Sequence, residues 1–189
     1  MDTYFDLGGY SFPVTTQSTE AQTWFDRGIL WTYGYNHEEA VTCFERAIDA
    51  DPKCAMAHWG AGYAVGPNYN MPWDLFDYAG RAAAARAGYA HARKALDLID
   101  GVTRWEAALI HALPARHPQP DPLNPEAMKA WNADFADAMR DVFAAHPENH
   151  EVRTVFAESL LNLTPWKMWD LHSGQPATGA RTAEAQTVL

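Results

Sequence analysis

Apolar and polar residues recur along most of this chain with the three-to-four-residue spacing of amphipathic α-helices. Between residues 18 and 35, for example, Phe25, Ile29 and Thr32 share one face of a helix. The same spacing predicts eight helices, over residues 18–35, 37–51, 53–65, 76–99, 103–116, 126–146, 148–163 and 181–189. No run of alternating β-branched residues occurs, so the sequence predicts an all-α fold.

Capping and stop residues set the ends of several helices and divide the chain into three parts. Ser18 is a suitable N-cap for the first helix, and Pro52 stops the second. We expect an extended lead-in at 1–18, a helical repeat domain at 19–165, and at 166–189 an irregular segment with paired tryptophans and the start of a further helix. That last helix lacks a capping glycine or proline, which indicates that it frays or that the chain is cut inside it.

Residues 21–54 have the pattern of a 34-residue helix–turn–helix repeat. Seven of its eight characteristic positions carry the expected residue type, and they are Trp24, Gly28, Trp31, Ala40, Phe44, Ala47 and Pro52. Arg27 is the one departure, since leucine is usual there. Small residues in this pattern let two helices approach closely, and large ones fill the space between them. Because one such pair cannot bury its apolar face alone, neighbouring pairs are expected to stack.

This pattern resembles that of the tetratricopeptide repeat family. The resemblance is most specific at 21–54, moderate at 55–100 and weak after residue 120. Ala95 echoes Ala47 but lies 48 positions after it, so about 14 extra residues are inserted in the second unit. The chain also resembles the N-terminal part of longer bacterial proteins of this family. The resemblance implies an α-solenoid of antiparallel helix pairs, a scaffold that performs no reaction.

In that architecture the first helix of each pair lines a concave groove, and the resemblance implies that the groove is apolar and aromatic here. The residues that would face the groove or close its mouth are Phe25, Ile29, Tyr33, Trp59, Tyr63, Asn68, Asn70 and Trp73. Phe25 and Ile29 replace the lysine and asparagine with which some members hold a peptide's terminal carboxylate, so that ligand is not expected. The groove would bind an extended peptide or an amphipathic helix, or it would be filled by the protein's own insert.

The insert, residues 66–76, leaves the helix directly beside the groove. Pro67 and Pro72 stiffen it, and Asn68 and Asn70 can cap turns through their side chains. Two interpretations stay open. Either the insert caps the groove mouth or packs on the fourth helix, or its asparagines line a small-molecule pocket.

The chain contains eight histidines and two cysteines, which raises the question of a metal. His37 and His58 are the candidate ligands, because neighbouring repeats could bring them together, but the sequence has neither an HExxH motif nor a CxxC pair. No catalytic triad, phosphate-binding loop or carboxylate pair stands out. We therefore expect no cofactor, and we expect Cys43 and Cys54 to be buried thiols.

The charge balance narrows the choice of partners. The chain has 24 acidic and 14 basic residues, a formal net charge of −10, and such a surface repels nucleic acid phosphates. Its N-terminus does not resemble a secretory signal, and no window approaches the roughly 20 apolar residues of a membrane span. These features predict a cytoplasmic protein that binds neither nucleic acid nor membrane.

Three functions are compatible with these features. The favoured one is a scaffold that binds a peptide or partner protein through the groove. The second is a small-molecule or metal-dependent enzyme whose site lies at the insert. The third is an oligomerisation module, in which apolar surface near Trp166 and Trp169 contacts a second copy or further repeats of a longer chain.

Overall fold

Eight α-helices make up most of the computed structural model, which describes residues 4–189. They are α1 (Thr19–Tyr33), α2 (His37–Ala50), α3 (Ala55–Ala64), α4 (Tyr78–Asp97), α5 (Arg104–Arg116), α6 (Pro125–Ala145), α7 (His150–Leu161) and α8 (Thr182–Val188). A short 3₁₀ helix at Trp73–Leu75 lies in the insert, and none of the described residues belongs to a β-strand. The predicted all-helical fold is confirmed. No helix in this range is long and apolar enough to cross a bilayer.

Side-chain caps fix where several helices begin. The Ser18 hydroxyl accepts a hydrogen bond from the backbone N–H of Ala21 at 3.1 Å, as predicted for α1. A capping box begins α5, because the Thr103 hydroxyl accepts from the N–H of Glu106 while the Glu106 carboxylate accepts from the N–H of Thr103. Pro125 occupies the first turn of α6, where its missing N–H has no helical partner to lose.

The first three helices pack at a seam where two glycines face one aromatic ring. A Cβ on Gly28 of α1 or on Gly60 of α3 would lie 2.6 Å from a ring carbon of Phe44 on α2. Phe44 is fully buried, so both helices reach it only because these positions lack a side chain. The later helices continue as packed neighbours, α3 with α4 and α5, α5 with α6, α6 with α7, and α7 with α8.

Three of the residues predicted to line a groove, Phe25, Ile29 and Trp59, are at most 1% exposed, so no open groove exists at these positions. Phe12 of the lead-in covers one side, because its ring meets Phe25 edge-on at 5.5 Å and stacks on Trp105 of α5 at 5.2 Å. The indole N–H of Trp59 donates to a backbone carbonyl of α5 at 3.1 Å. The lead-in and α5, and not the insert, therefore contact Phe25 and Trp59.

Residues 4–18 of the lead-in form no helix and contact both α1 and α5. Residues 1–3 of the predicted lead-in lie outside the residues that the structure describes. The anchor of the lead-in is Glu106, which is fully buried. The Glu106 carboxylate accepts hydrogen bonds from the backbone N–H and the hydroxyl of Thr15, each at 2.6 Å. Because a buried carboxylate is costly unless it is hydrogen-bonded, these contacts fix the lead-in in place.

The insert folds into a tight turn and then enters the protein. The Asn68 side-chain oxygen accepts hydrogen bonds from the backbone N–H groups of Asn70 at 2.9 Å and Met71 at 3.0 Å, so the predicted turn-capping role of Asn68 is confirmed. Trp73 is buried in a second, smaller apolar cluster with residues of α4 and α6. The insert also touches the segment after α7, where the Tyr69 ring meets Trp166.

Candidate functional site

A cavity of about 200 Å³ lies where the ends of α1 and α3 face α7. We call it the tyrosine cavity, and its walls include Tyr33, Tyr35, His37, Tyr63 and Glu158. Tyr33 is the last residue of α1, His37 is the first residue of α2, and Tyr63 is the second-last residue of α3. Helix α7 contributes the carboxylate and closes the cavity from the opposite side.

The connection between α1 and α2 sets the position of two of these side chains. Gly34 ends α1, and the Asn36 side chain caps the start of α2. Tyr35 between them has a φ of 60°, a left-handed conformation that residues with side chains seldom adopt. The turn thereby stacks the Tyr35 ring on His37, with 6.3 Å between the ring centroids. A strained backbone of this kind is often retained at binding sites.

Two carboxylates of α7 face the phenol groups. Glu158 accepts hydrogen bonds from the hydroxyl of Tyr63 and the side-chain amide of Asn162, both at 2.5 Å. Glu151 accepts from the hydroxyl of Tyr33 at 2.6 Å and from a tyrosine of the lead-in. Within residues 4–189 neither carboxylate forms an ion pair. Glu158, the one of the two that lines the cavity, is therefore hydrogen-bonded only by neutral donors.

The aromatic groups of the cavity are neutral. Burial raises the pKa of all three tyrosines, and a nearby carboxylate of α7 adds to the effect for each of them. Burial also lowers the pKa of His37, whose Nδ1 lies 2.9 Å from the carbonyl oxygen of Ala64. Since a carbonyl only accepts, Nδ1 carries the proton, and the other ring nitrogen is an acceptor.

The buried cation nearest to this site is held elsewhere. The guanidinium carbon of Arg116 lies 4.7 Å from the centroid of the Tyr63 ring and 5.1 Å from that of Phe135. Arg116 also donates a hydrogen bond to the carbonyl of Pro67, and it does not line the cavity. Ring faces and a carbonyl therefore stabilise its charge, and no ion pair joins it to Glu158.

A second cavity, of about 590 Å³, adjoins the first at Tyr35 and His37. The insert forms its other side with Asn68 and Asn70. Asn68 is buried and uses its side-chain oxygen within the turn, whereas Asn70 is exposed. The two predicted asparagines thus lie beside the tyrosine cavity, and Asn70 is the one that a ligand can reach.

The predicted binding residues therefore lie in three places. Tyr33 and Tyr63 line the tyrosine cavity, and the two asparagines of the insert line its neighbour. Phe25, Ile29 and Trp59 belong to the main hydrophobic core, where a ligand does not reach them. Trp73 is buried in the second cluster and lines a different cavity.

The two histidines considered as metal ligands lie at opposite ends of α3. His37 contacts Ala64, the last residue of α3, whereas His58 is in its first turn with Nδ1 3.2 Å from Nδ1 of His91. Burial, assisted by the nearby His91, lowers the pKa of His58 to about 4. Among residues 4–189, no group of three or more His, Cys, Asp or Glu side chains is placed to hold a metal ion.

Glu158 and Tyr35 are site residues that the sequence reasoning missed. Glu158 follows its partner Tyr63 by 95 positions, and no local pattern connects the two. One signal was present in α7, because Glu151 and Glu158 are seven residues apart and so lie on the same face of that helix as two acidic groups.

No protein-family model, no curated protein and no solved structure matches this chain. The chemistry of the site and the repeat pattern at 21–54 are the features of this chain that indicate a function. The most distinctive chemistry is the combination of neutral aromatic walls with an unpaired carboxylate.

Proposed function

We propose that this chain is a tetratricopeptide-like binding module that holds a cationic group of a partner polypeptide in the tyrosine cavity. The group is a lysine side chain or the amino terminus of a chain. One observation carries the proposal: Glu158 lies in the wall of a cavity of aromatic rings, and none of the described residues supplies it with a cation.

The helix packing supports the tetratricopeptide part of the proposal. The Phe44 ring rests against Gly28 of the same unit, and the other small residues of the pattern, Ala40 and Ala47, are fully buried. The pair α1 and α2 then packs on α3. Small residues where helices approach and a neighbour that covers the pair are what the repeat pattern requires.

The composition of the cavity supports a cationic ligand. The face of a tyrosine ring attracts an ammonium group, with about 0.5–2 kcal/mol for each such contact. Tyr33 and Tyr35 are the rings that can make this contact, because the Tyr63 ring already stacks on Trp59 and has Arg116 over its face. An ammonium near Glu158 would add a charge-assisted hydrogen bond, which is stronger than one between neutral groups. The net charge of −10 also attracts basic partners from a distance and raises the rate of encounter.

The size of the cavity indicates that the ligand is one group of a larger partner. Sites for whole drug-sized molecules are usually about 300–1,000 Å³, whereas the tyrosine cavity is about 200 Å³. The end of a lysine side chain or an amino-terminal residue suits that space. The rest of the partner would lie in the adjoining cavity, against Asn70 and Met71 of the insert.

A peptide array tests this function. Random hexapeptides with free or acetylated amino termini are probed with the full chain, and we expect lysine and free amino termini to be enriched among the binders. Glu158→Gln should lower the affinity for those peptides by about tenfold, because it removes the charge that the ammonium group contacts. Glu148→Gln removes the same charge from an exposed position near the start of α7 and should leave binding within about twofold.

Two results contradict the proposal. The first is enrichment of acidic or wholly apolar peptides on the array. The second is a Glu158→Gln protein that keeps its melting temperature and binds lysine peptides as tightly as the parent.

A further inference from the structure

The cavity of about 590 Å³ beside the tyrosine cavity has a largely apolar wall, and we call it the insert cavity. Tyr35 and His37 line both cavities, so one molecule can occupy the two together. The other walls come from the start of α2, the end of α3 and the insert. The volume is within the usual range for small-molecule sites, so it can hold a large side chain with part of its backbone.

Four apolar side chains line the insert cavity without being fully covered by the protein. Val41 packs on the main hydrophobic core, and Val65 and Phe76 pack on the second cluster, yet all three are only partly buried. Met71 of the insert is 37% exposed. Because an apolar group placed there would remove more of this surface from water, the wall favours an apolar ligand group.

A free hydrogen-bond acceptor lies where the two cavities join. His37 donates from Nδ1 to the carbonyl of Ala64 at 2.9 Å, so its Nε2 is unprotonated. That Nε2 atom has no hydrogen-bond partner among residues 4–189, and it is accessible to solvent. A polypeptide that passes from one cavity to the other can donate a backbone N–H group to it.

The charge at the rim of the insert cavity disfavours an acidic ligand group. Glu38, in the first turn of α2, lines this cavity and is exposed. Within the described part of the chain no cation pairs with it. An acidic group of a partner would therefore be repelled here, while an apolar one is accepted by the wall.

We infer that the partner carries a large apolar side chain close in sequence to its cationic group, and that the insert cavity binds this side chain. The inference rests on the proposed function, because the cationic group in the tyrosine cavity is what brings the apolar one to its neighbour. The partner is then recognised by two adjoining features, a cation and a residue such as leucine, methionine or phenylalanine. Partial burial of such a side chain should raise the affinity by about tenfold.

Calorimetric titration of the full chain with matched hexapeptides tests this specificity. Each peptide has one lysine, or one free amino terminus, as its only cation, and carries leucine, serine or aspartate at each nearby position in turn. At the best position we expect leucine to bind about tenfold more tightly than serine, and aspartate to bind most weakly. Norleucine in place of lysine, or acetylation of the amino terminus, measures the preference for the cation separately.

Two variants of the insert show whether this cavity holds the apolar side chain. Met71→Gln makes the wall polar, and it keeps the backbone N–H group that binds Asn68. It should reduce the leucine preference from about tenfold to about threefold and leave the preference for the cation unchanged. Leu75→Gln is the matched control, because Leu75 is 52% exposed in the insert and does not line the cavity. It should bind like the parent.

A leucine preference that Met71→Gln reduces and Leu75→Gln retains supports the inference. Equal affinity for leucine and serine at every position, with the preference for the cation intact, overturns the inference and leaves the proposed function standing. A leucine preference that is undiminished in Met71→Gln also overturns it, because the apolar side chain would then bind elsewhere. Loss of the preference for the cation contradicts the proposed function itself, and the inference falls with it.

Discussion

Replacing Gly60 with alanine tests the seam at which α1, α2 and α3 pack. The new Cβ would lie 2.6 Å from Cδ1 and 2.7 Å from Cζ of Phe44, whereas packed carbon atoms are about 3.5–4.0 Å apart. The Phe44 ring would have to move by about 1 Å to restore that spacing. It has no free space for this, because it is fully buried and its centroid lies 5.4 Å from that of Phe25.

The expected loss follows from two opposing effects. Overpacking a core costs about 1–3 kcal/mol, and replacing glycine by alanine in a helix gains up to about 1 kcal/mol. We therefore expect Gly60→Ala to lower the free energy of unfolding by about 1–2 kcal/mol. Urea unfolding followed by circular dichroism should show a lower midpoint with an unchanged slope.

Two further variants make the experiment decisive. Gly80→Ala, in the exposed first turn of α4, is the matched control. Its Cβ would lie 3.1 Å from a carboxylate oxygen of the exposed Asp77 side chain, which can shift, so we expect a change within about 0.5 kcal/mol. In a Phe44→Leu background, Gly60→Ala should cost less than it does in the parent, because the smaller side chain leaves room for the new methyl group. A Gly60→Ala protein as stable as the parent would refute the close packing at this seam.

Two other predictions concern the lead-in and the buried histidines. Phe12→Ala should lower the free energy of unfolding by about 3 kcal/mol in urea, because Phe12 is buried against Phe25 and α5; an unchanged midpoint would show that the lead-in does not dock there. Burial lowers the pKa of His58 to about 4 and that of His117 to about 3, below the value of about 6.5 for an exposed imidazole. The unfolded chain therefore takes up protons first as the pH falls, so the free energy of unfolding should decrease from about pH 6.5 towards pH 4. His58→Gln should reduce this slope, and a slope identical to that of the parent would contradict the lowered pKa.

The helices and their ends were predictable because their causes are local. The spacing of apolar residues predicted where each helix lies. Ser18 marked the start of α1 and Pro52 the end of α2, and both ends agree with the structure within one or two residues. The repeat pattern correctly singled out Gly28 as a position of close approach. Gly60, which approaches the same ring, was missed because it falls outside the pattern of the second unit.

The burial of the predicted groove residues was not predictable, because it depends on contacts between distant parts of the chain. Periodicity marks Phe25 as apolar but does not say what covers it, and the covering residue, Phe12, lies in a segment without helical periodicity. Glu158 likewise reaches its partner Tyr63 only because the fold brings α7 opposite the end of α3. The sequence could therefore indicate Tyr33 and Tyr63, but not the carboxylate that gives their cavity its charge.

The most direct test of the cationic-ligand proposal compares two peptides that differ only in one charge. A lysine peptide selected on the array and the same peptide with norleucine at that position are titrated into the protein by calorimetry. We expect the lysine peptide to bind about tenfold more tightly, and we expect Glu158→Gln to remove that preference while Glu148→Gln retains it. Equal affinity for the two peptides would contradict the proposal, because the tyrosine cavity would then be recognising apolar length and not charge.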